Sequence, residues 1–92
     1  MIRSFRDNDV AALFDDVAVR RFGAIERAAR RKLMYLHRAR VLEDLKPPPG
    51  NHLEAFKGDR KRQHSIRIND QWRVCFIWKS GDAHEVEIVD YH

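Results

Sequence analysis

Three strand patterns follow one another in the last third of the chain, and the two connections between them are very short. Residues 64–68, 72–78 and 83–91 are rich in β-branched and aromatic side chains, which favour strands. Residues 69–71 and 80–82 contain Asn, Asp, Ser and Gly, which favour tight turns. Because such short connections join antiparallel neighbours, the sequence predicts a three-stranded antiparallel meander. This meander constrains the fold more than any other feature.

The alternation of apolar residues predicts which face of the meander is buried, because successive strand side chains lie on opposite faces. In the first strand Ile66 and Ile68 are expected to face inward, with Arg67 on the opposite face. In the second strand the inward set is Trp72, Val74, Phe76 and Trp78, and the outward set is Arg73, Cys75 and Ile77. We therefore expect both tryptophans to be core residues rather than platforms for base stacking.

The first half of the chain predicts a short strand and two helices. Residues 2–5 are weakly strand-like, and Asp7 or Asp9 is suited to cap the helical turn that follows. Residues 24–41, after Gly23, have apolar side chains at helical spacing: Ile25, Ala28, Ala29, Leu33, Leu36 and Ala39. A turn built from Pro47, Pro48, Pro49 and Gly50 then separates the helices from the meander. The order β-α-α-β-β-β predicts an α+β fold, with a small antiparallel-rich sheet and the helices packed on one face.

Length and cysteine content narrow the class of protein. A chain of 92 residues is expected to form a single domain spanning residues 1–92. Cys75 is the single cysteine, and we expect a packed, inert thiol, which suits a reducing bacterial cytoplasm. No apolar run is long enough to cross a membrane, and no signal-peptide pattern opens the chain. Without an HExxH motif or a Cys/His cluster, we expect neither a metal nor another cofactor.

Positive charge is unevenly distributed along the sequence. The net charge is only +4, yet residues 20–40 carry eight Lys or Arg and one acid, Glu26. Clustered positive charge favours a polyanion such as nucleic acid, although a solvated basic surface fits the same pattern. Lys32 falls beside the apolar positions of the helix, where it either reaches past them to solvent or points at a bound group. The arginines on the opposite helix face are Arg27, Arg30, Arg31 and Arg38.

The last three residues place a carboxylate, a phenol and an imidazole at the end of a predicted strand. Imidazole titrates near neutral pH, so His92 is the first candidate for proton transfer, the alternative being a frayed, exposed terminus. Asp90 either orients His92, acts as the base, or forms an ion pair with Arg73 or Arg67. Tyr91 either stacks on a base, gives a proton, or packs as a half-buried aromatic residue.

Four other side chains carry a positive charge or an imidazole and are candidates for contact with an anionic ligand. Lys57 and Arg73 suit phosphate binding, and a strand holds Arg73 more firmly than a loop would. Arg67 has the same chemistry on the neighbouring strand, and each of these cations also fits a surface ion pair. His52, after the proline turn, is either a second acid or base or a polar loop residue. The other histidines are expected to be structural: His37, His64 and His84.

Three segments together carry a resemblance to a known family. They are GNHLEAFKGDR at 50–60, SIRINDQWRVCF at 65–76 and VEIVDYH at 86–92. In this order and spacing the chain closely resembles the HigB toxins, the plasmid maintenance killer branch of the RelE/ParE toxin superfamily. The resemblance implies a microbial-RNase-like fold and ribosome-dependent, metal-independent cleavage of mRNA. It places the functional set on His52, Lys57, Arg73, Asp90, Tyr91 and His92, with Arg67 as a helper.

The resemblance also implies partners. It predicts a HigA-like helix-turn-helix antitoxin, contact with the 70S ribosome and mRNA, and contact with operator DNA only through the antitoxin. Two alternatives remain open at the level of the sequence. A ParE-like protein poisons DNA gyrase without nuclease activity, and a non-catalytic nucleic-acid-binding co-repressor uses the basic helix alone. Loss of toxicity on substitution of His92 would argue against the gyrase poison. The binding module instead predicts binding that survives substitution of Asp90 and His92.

Overall fold

The computed structural model describes residues 1–56 and 62–90, and it has the predicted α+β architecture. Two α-helices, α1 and α2, precede a four-stranded antiparallel sheet in the order β1-β2-β3-β4. Three short 3-10 helices cover Arg20–Ile25, Leu42–Leu45 and Pro49–Asn51. The main elements are α1 Asn8–Phe14, α2 Glu26–Arg38, β1 Glu54–Ala55, β2 Gln63–Arg67, β3 Trp72–Lys79 and β4 Asp82–Asp90.

The predicted meander is confirmed as β2, β3 and β4. In the first turn the Asn69 side chain accepts hydrogen bonds from the backbone N–H groups of Gln71 and Trp72, at 2.9 and 2.8 Å. The second turn is a two-residue hairpin whose residues, Ser80 and Gly81, both have positive φ, 53° and 79°. Such a hairpin turn matches the twist of the flanking strands, so both connections hold the strands in register.

Strand β4 contains a bulge that the sequence pattern does not predict. Cys75 pairs with Glu87, whereas Ile77 pairs with His84, so β4 has one more residue than β3 over this stretch. Glu85 lies in the left-handed region with a φ of 52°. In a regular strand, residues three positions apart lie on opposite faces of the sheet. Because of the extra residue, Ala83 and Val86 are both buried in the core.

The predicted first strand lies beside β4 but forms only two isolated parallel bridges. Ile2 pairs with Ala83 and Phe5 with Val86. The Arg3 N–H donates to the Ala83 carbonyl at 2.8 Å, and the Ala83 N–H donates to the Met1 carbonyl at 3.0 Å. The β4 bulge interrupts the register here, so a continuous ladder does not form. The first strand of the sheet in chain order is instead β1, which the sequence analysis did not predict.

The helices form largely where predicted. Asp7, one of the two proposed caps, accepts a 2.9 Å hydrogen bond from the Val10 N–H and begins α1. Helix α2 begins at Glu26 and ends at Arg38, inside the predicted range 24–41. Gly23 does not separate two helices as expected but lies within the 3-10 helix. That segment continues the apolar spacing with buried Phe22 and Ile25, which explains the misplaced boundary.

One hydrophobic core fills the space between the helices and one face of the sheet. Leu33 and Leu36 of α2 are completely buried, as are Val74 of β3 and Ile66 of β2. Trp72 and Trp78 are half-buried against this core, which confirms them as core residues. The Trp72 ring packs edge-on against Phe22, with ring centroids 5.8 Å apart. The opposite face of the sheet therefore carries Arg73 and its neighbours.

The single cysteine and the apolar character of the helices bear on the class of protein. Cys75 is buried, with 1% of the residue exposed, which agrees with the predicted packing of its side chain. Within residues 1–56 and 62–90, no helix combines the length and apolar character needed to cross a membrane.

Candidate active site

Arg73 is the centre of the site because strand β3 buries a cation that would ordinarily lie in water. Only 8% of the residue is exposed. Its Nε–H donates to Ser65 Oγ at 2.8 Å, and Nη2 donates to the backbone carbonyl of Ser65 at 3.4 Å. Nη2 also donates to the backbone carbonyl of His52 at 2.5 Å. These contacts fix the guanidinium on two sides, as the prediction of a firmly held arginine on a strand requires.

The charge of Arg73 has no counter-ion in the described part of the chain. Each of its hydrogen-bond acceptors is neutral, and no carboxylate among the described residues lies within 4.0 Å of its nitrogen atoms. Nη1 takes no partner among these residues. A buried cation is costly unless it is paired. An arginine whose partners among the described residues are all neutral has the charge and the geometry to bind an anion.

His52 reaches the site through an unusual backbone conformation. It follows the 3-10 helix Pro49–Asn51 and has a φ of 44°, in the left-handed region. This conformation directs the carbonyl toward Arg73, while the imidazole stays exposed. The residue before it, Asn51, is completely buried and donates to the carbonyls of Leu45 and Pro47 at 3.1 and 3.0 Å.

A concave pocket joins three of the predicted residues. It has a volume of about 290 Å³, near the lower end for ligand pockets, and it contains His52, Arg67 and Arg73. Arg67 forms an ion pair with Asp70, which lies in the turn and is almost fully exposed. Asn69 completes the lining, with its side-chain oxygen already bonded to the turn. Asn69 and Asp70 were predicted as turn residues, and their presence in the pocket was missed.

Asp90 lies on the other face of the sheet from Arg73. It pairs with Trp72 in the β3–β4 register, so its side chain shares the Trp72 face at the strand end. Its carboxylate accepts a 3.1 Å hydrogen bond from the Gln71 side chain. Neither Arg73 nor Arg67 forms the ion pair with Asp90 that was one of its predicted roles.

Three of the predicted catalytic residues, Lys57, Tyr91 and His92, lie outside the described residues. The expectation that these three residues lie near the pocket therefore rests on the sequence alone. Asp90 is the last described residue and belongs to β4, so the chain enters Tyr91 and His92 directly from the sheet.

The four arginines predicted on the helix face of α2 separate into two groups. Arg30 donates to the Leu13 carbonyl at 3.0 Å and pairs with Glu26 at 2.8 Å and Asp16 at 3.4 Å. It therefore connects α2 to the segment after α1. The other three are exposed, and no ion pair joins them to a described residue: Arg27, Arg31 and Arg38.

An open groove of about 550 Å³ adjoins two of these exposed arginines. Its lining is Arg31, Met34, Tyr35, Arg38, Ala39 and Asp44. Met34 and Tyr35 are 38% and 39% exposed, so the groove has an apolar floor with a basic rim. The Asp44 carboxylate accepts from the backbone N–H groups of Arg40 and Val41, which lower the pKa of Asp44. Because of these bonds its negative charge is already stabilised within the fold.

Lys32 does not reach freely into solvent. Its ammonium group donates a hydrogen bond to the side-chain oxygen of buried Asn51 and lies 5.6 Å from the centre of the Tyr35 ring. Partial burial, and then the neighbouring charge of Arg31, lower the pKa of Lys32. The hydrogen-bond partner of Lys32 is therefore Asn51 of the same chain, rather than a bound group.

Two histidines outside the pocket, His37 and His64, pack against other parts of the fold. His37 Nδ1 accepts a 3.2 Å hydrogen bond from the Ile2 N–H, and its ring packs on Phe14 with centroids 5.2 Å apart. His64 stacks on Phe76 with centroids 6.1 Å apart. Among the described residues no group of three His, Cys, Asp or Glu side chains converges as metal ligands would.

Fold and pocket together define a class of protein: a small α+β protein whose meander carries a pocket lined by a histidine and two arginines. Comparison of sequences identifies the family. The model of the HigB-like toxin family, the RelE-like toxin of type II toxin–antitoxin system HigB, matches residues 3–92. The match covers nearly the whole chain, and the protein belongs to this family.

Two characterised relatives are similar to the chain over different lengths. Toxin HigB-1 of Vibrio cholerae serotype O1 is 38% identical over 85 residues, which cover 90% of each chain. Endoribonuclease HigB of Proteus vulgaris is 40% identical over 40 residues, which cover 44% of each chain. Family membership makes the protein a toxin of a type II toxin–antitoxin system, with an antitoxin as its partner.

Proposed function

We propose that the toxin is an endoribonuclease that cleaves mRNA on the ribosome without a metal ion. The observation that carries this proposal is the buried guanidinium of Arg73, which has no counter-ion in the described chain and opens into a pocket with His52 and Arg67. Phosphoryl transfer gains most from preorganised cations that stabilise developing negative charge. The name of the Proteus vulgaris relative, Endoribonuclease HigB, supports the same reaction.

The reaction transfers the phosphoryl group within the RNA. The ribose 2′-OH attacks the adjacent phosphorus, its proton passes to a base, and the new 2′-O–P bond forms. The P–O5′ bond breaks, and an acid protonates the leaving 5′ oxygen. The products are a 2′,3′-cyclic phosphate and a 5′-hydroxyl end. General acid and base catalysis each contribute about 10²–10⁴-fold to such a reaction.

The proposed roles follow from the chemistry of each side chain. Arg73 and Lys57 hold the phosphate oxygens, and Arg67 adds positive charge at the edge of the pocket. His92 transfers a proton. Because Asp90 lies on the other face of the sheet from Arg73, we assign it the role of orienting His92 rather than that of the base. The exposed imidazole of His52, in the same pocket as Arg73, supplies the second proton-transfer group. Tyr91 stacks on a base or gives a proton.

The exposed arginines of α2 are the proposed contact with the ribosome. Arg27, Arg31 and Arg38 face solvent, and ribosomal RNA offers a dense surface of phosphates. Arg30 was predicted with them, but its guanidinium already bonds Leu13, Asp16 and Glu26, so we assign it a supporting part. The partner that neutralises the toxin is a HigA-like helix-turn-helix antitoxin, and operator DNA is reached only through it.

Mapping of transcript 5′ ends tests the proposal. The wild-type toxin is induced briefly in bacteria and compared with His92→Ala, Arg73→Lys and the control His84→Ala. His84 lies on β4 and does not line the pocket, so it controls for loss of a histidine. We expect new 5′-hydroxyl ends within translated messages for the wild type and His84→Ala, and their loss in the other two variants.

The alternatives predict different results. Growth arrest with no new RNA ends would reject the nuclease and favour a ParE-like poison of gyrase. Neither arrest nor cleavage would favour a nucleic-acid-binding co-repressor. Cleavage of naked RNA as fast as that of translated RNA would reject the requirement for the ribosome.

A further inference from the structure

Asn51 connects helix α2 to the proline turn beside the pocket. Its side chain is completely buried, and its amide nitrogen donates to the Leu45 and Pro47 carbonyls at 3.1 and 3.0 Å. Its amide oxygen accepts from the Lys32 ammonium group. Each polar atom of the Asn51 side chain therefore has a partner, and the position of the turn depends on a helix residue 19 positions earlier in the chain.

The residue after Asn51, His52, connects the anchored turn to the pocket. His52 follows Asn51 in the left-handed region, with a φ of 44° that side chains other than glycine rarely adopt. In this conformation its carbonyl accepts from Arg73 Nη2 at 2.5 Å. On the other side of the guanidinium, buried Ser65 accepts from Nε at 2.8 Å. Arg73 is therefore held by the sheet through Ser65, and by helix α2 through Lys32, Asn51 and His52.

Asn51 is neutral, so it adds no negative charge near the pocket. A carboxylate at this position would bind Lys32 more strongly than an amide does. It would also place a negative charge one residue from the carbonyl that holds Arg73, and so weaken the attraction of the pocket for phosphate. The asparagine instead anchors the turn and leaves the charges of Lys32 and Arg73 uncancelled.

We propose that Lys32 and Asn51 are positioning residues that set the orientation of the Arg73 guanidinium through the carbonyl of His52. The inference rests on the proposed function, in which Arg73 binds the scissile phosphate. Lys32 itself does not line the pocket. Loss of its hydrogen bond lets the turn shift and rotates the guanidinium away from the phosphate. Misplacement of a catalytic group by about 1 Å lowers a rate by about 10²-fold.

The test uses variants that preserve the fold. Lys32→Met keeps the apolar stem of the half-buried lysine and removes its hydrogen-bond donor. Lys32→Arg retains a donor and serves as the conservative rescue. Lys79→Met is the matched control, because Lys79 is exposed at the opposite end of β3, six residues or roughly 20 Å from Arg73.

Two readouts separate the inference from the proposed function. The first is the NMR signal of the Arg73 Nε–H, assigned by its disappearance in Arg73→Lys, which reports the Ser65 bond without any activity. We expect this signal to move in Lys32→Met and to stay in place in Lys32→Arg and Lys79→Met. The second is mRNA cleavage on programmed ribosomes. We expect Lys32→Met to lower kcat by about 10- to 100-fold with KM changed less than about twofold, because the exposed α2 arginines are intact.

The outcomes are distinct. An unmoved signal, or a kcat of Lys32→Met within about twofold of the wild type, would overturn the inference. Equal losses in Lys32→Met and Lys32→Arg would overturn it as well, because a donor at this position would then have no effect. If the wild type cleaves no RNA, the proposed function fails, and the NMR signal alone decides whether Lys32 orients Arg73.

Discussion

Arg67 and Arg73 lie directly opposite each other on β2 and β3, but only Arg67 has a carboxylate partner in the described chain. Like charges directly opposite on antiparallel strands destabilise a sheet. Half-buried Arg67 pairs with the exposed Asp70 carboxylate, a weak interaction in water that leaves Arg67 as a cation at the edge of the pocket. Buried Arg73 has no carboxylate partner among residues 1–56 and 62–90. The sheet therefore concentrates positive potential at the pocket, where an incoming phosphate would compensate it.

Substitution of Arg73 should separate stability from activity. In Arg73→Met an apolar side chain replaces a buried cation that has no carboxylate partner among the described residues. The lost hydrogen bonds to Ser65 and His52 oppose this gain. We expect the free energy of unfolding to change by no more than about 2 kcal/mol, measured by urea denaturation. We expect cleavage to fall by at least about 10²-fold, the loss typical for removal of a group that stabilises the transition-state charge.

Arg73→Lys is the matched variant for this prediction. It keeps the charge but loses the planar fork that bonds Ser65 and His52 simultaneously. We expect most of the activity to be lost in this variant as well. Wild-type activity in Arg73→Lys would show that charge alone is sufficient and would contradict the geometric role of the guanidinium.

The exposed and paired arginines of α2 should respond differently to substitution. Arg27→Ala and Arg31→Ala each remove a cation that has no ion-pair partner among the described residues. If each contacts one phosphate, the slope of log affinity against log salt should decrease by about 0.7–0.9 per substitution. Ribosome co-sedimentation at several salt concentrations measures this slope. The prediction fails if the slope is unchanged in the double variant.

Arg30→Ala should affect stability instead. The substitution removes a hydrogen bond to the Leu13 carbonyl and ion pairs with Glu26 and Asp16. Charge-assisted hydrogen bonds of this kind contribute about 1.5–3 kcal/mol, and partial exposure reduces the expected loss to about 1 kcal/mol. Thermal unfolding of Arg30→Ala and Arg27→Ala, side by side, distinguishes the two kinds of arginine. A lower Tm in Arg27→Ala than in Arg30→Ala would contradict the assignment.

The fold could be predicted where local and long-range signals agree. Turn residues and alternation both indicated the meander, and both were right. The β4 bulge could not be predicted, because one inserted residue at Glu85 changes neither composition nor turn chemistry. Strand β1 has only two residues, Glu54–Ala55, and both are exposed, so it has no apolar alternation to detect.

The residue types of the site could be predicted from the sequence, but the hydrogen bonds that join these residues could not. His52, Arg67 and Arg73 were singled out from the sequence and line one pocket. Ser65 and Asn51 were not singled out, because nothing local distinguishes a serine or asparagine that is buried. Their partners are 8 and 19 residues away in the chain, and only the fold brings them together.

Acid should weaken the attachment of the N-terminal segment. Asp82 pairs with Arg3 at 3.1 Å and with the N-terminal ammonium group at 3.3 Å. The hydrogen bond from Arg3 holds the pKa of Asp82 below its ordinary value of 3.8. A carboxyl whose pKa is lower in the folded state stabilises the fold above the unfolded-state pKa, and this stability is lost as the pH falls through the folded-state pKa.

Asp82→Asn isolates this contribution, because its amide oxygen still accepts from Arg3 but does not titrate. We expect the wild type to have the higher Tm at pH 7, and the difference to diminish as the pH falls below 3.8. Hydrogen exchange of the Arg3 amide, which bonds the Ala83 carbonyl, reports the same region locally. A difference in Tm that is constant from neutral to acidic pH would show that Asp82 titration does not contribute.

Fusions to the two ends of the chain should have unequal effects on cleavage. Tyr91 and His92 follow Asp90, the last residue of β4. Under the proposed function, we therefore expect a bulky C-terminal fusion to obstruct the binding of RNA next to the imidazole. An N-terminal fusion removes only the exposed ion pair between the Met1 ammonium group and Asp82, and such pairs contribute about 1 kcal/mol or less. We expect the C-terminal fusion to lower cleavage by about 10²-fold or more, as loss of general acid–base catalysis would.

The same fusion partner at the N-terminus should leave cleavage within a few-fold of the wild type, and a short tail of two glycines after His92 should give an intermediate rate. Full activity of the bulky C-terminal fusion, with Tm unchanged, would exclude the tail from the active site and leave His52 as the proton-transfer group to test next.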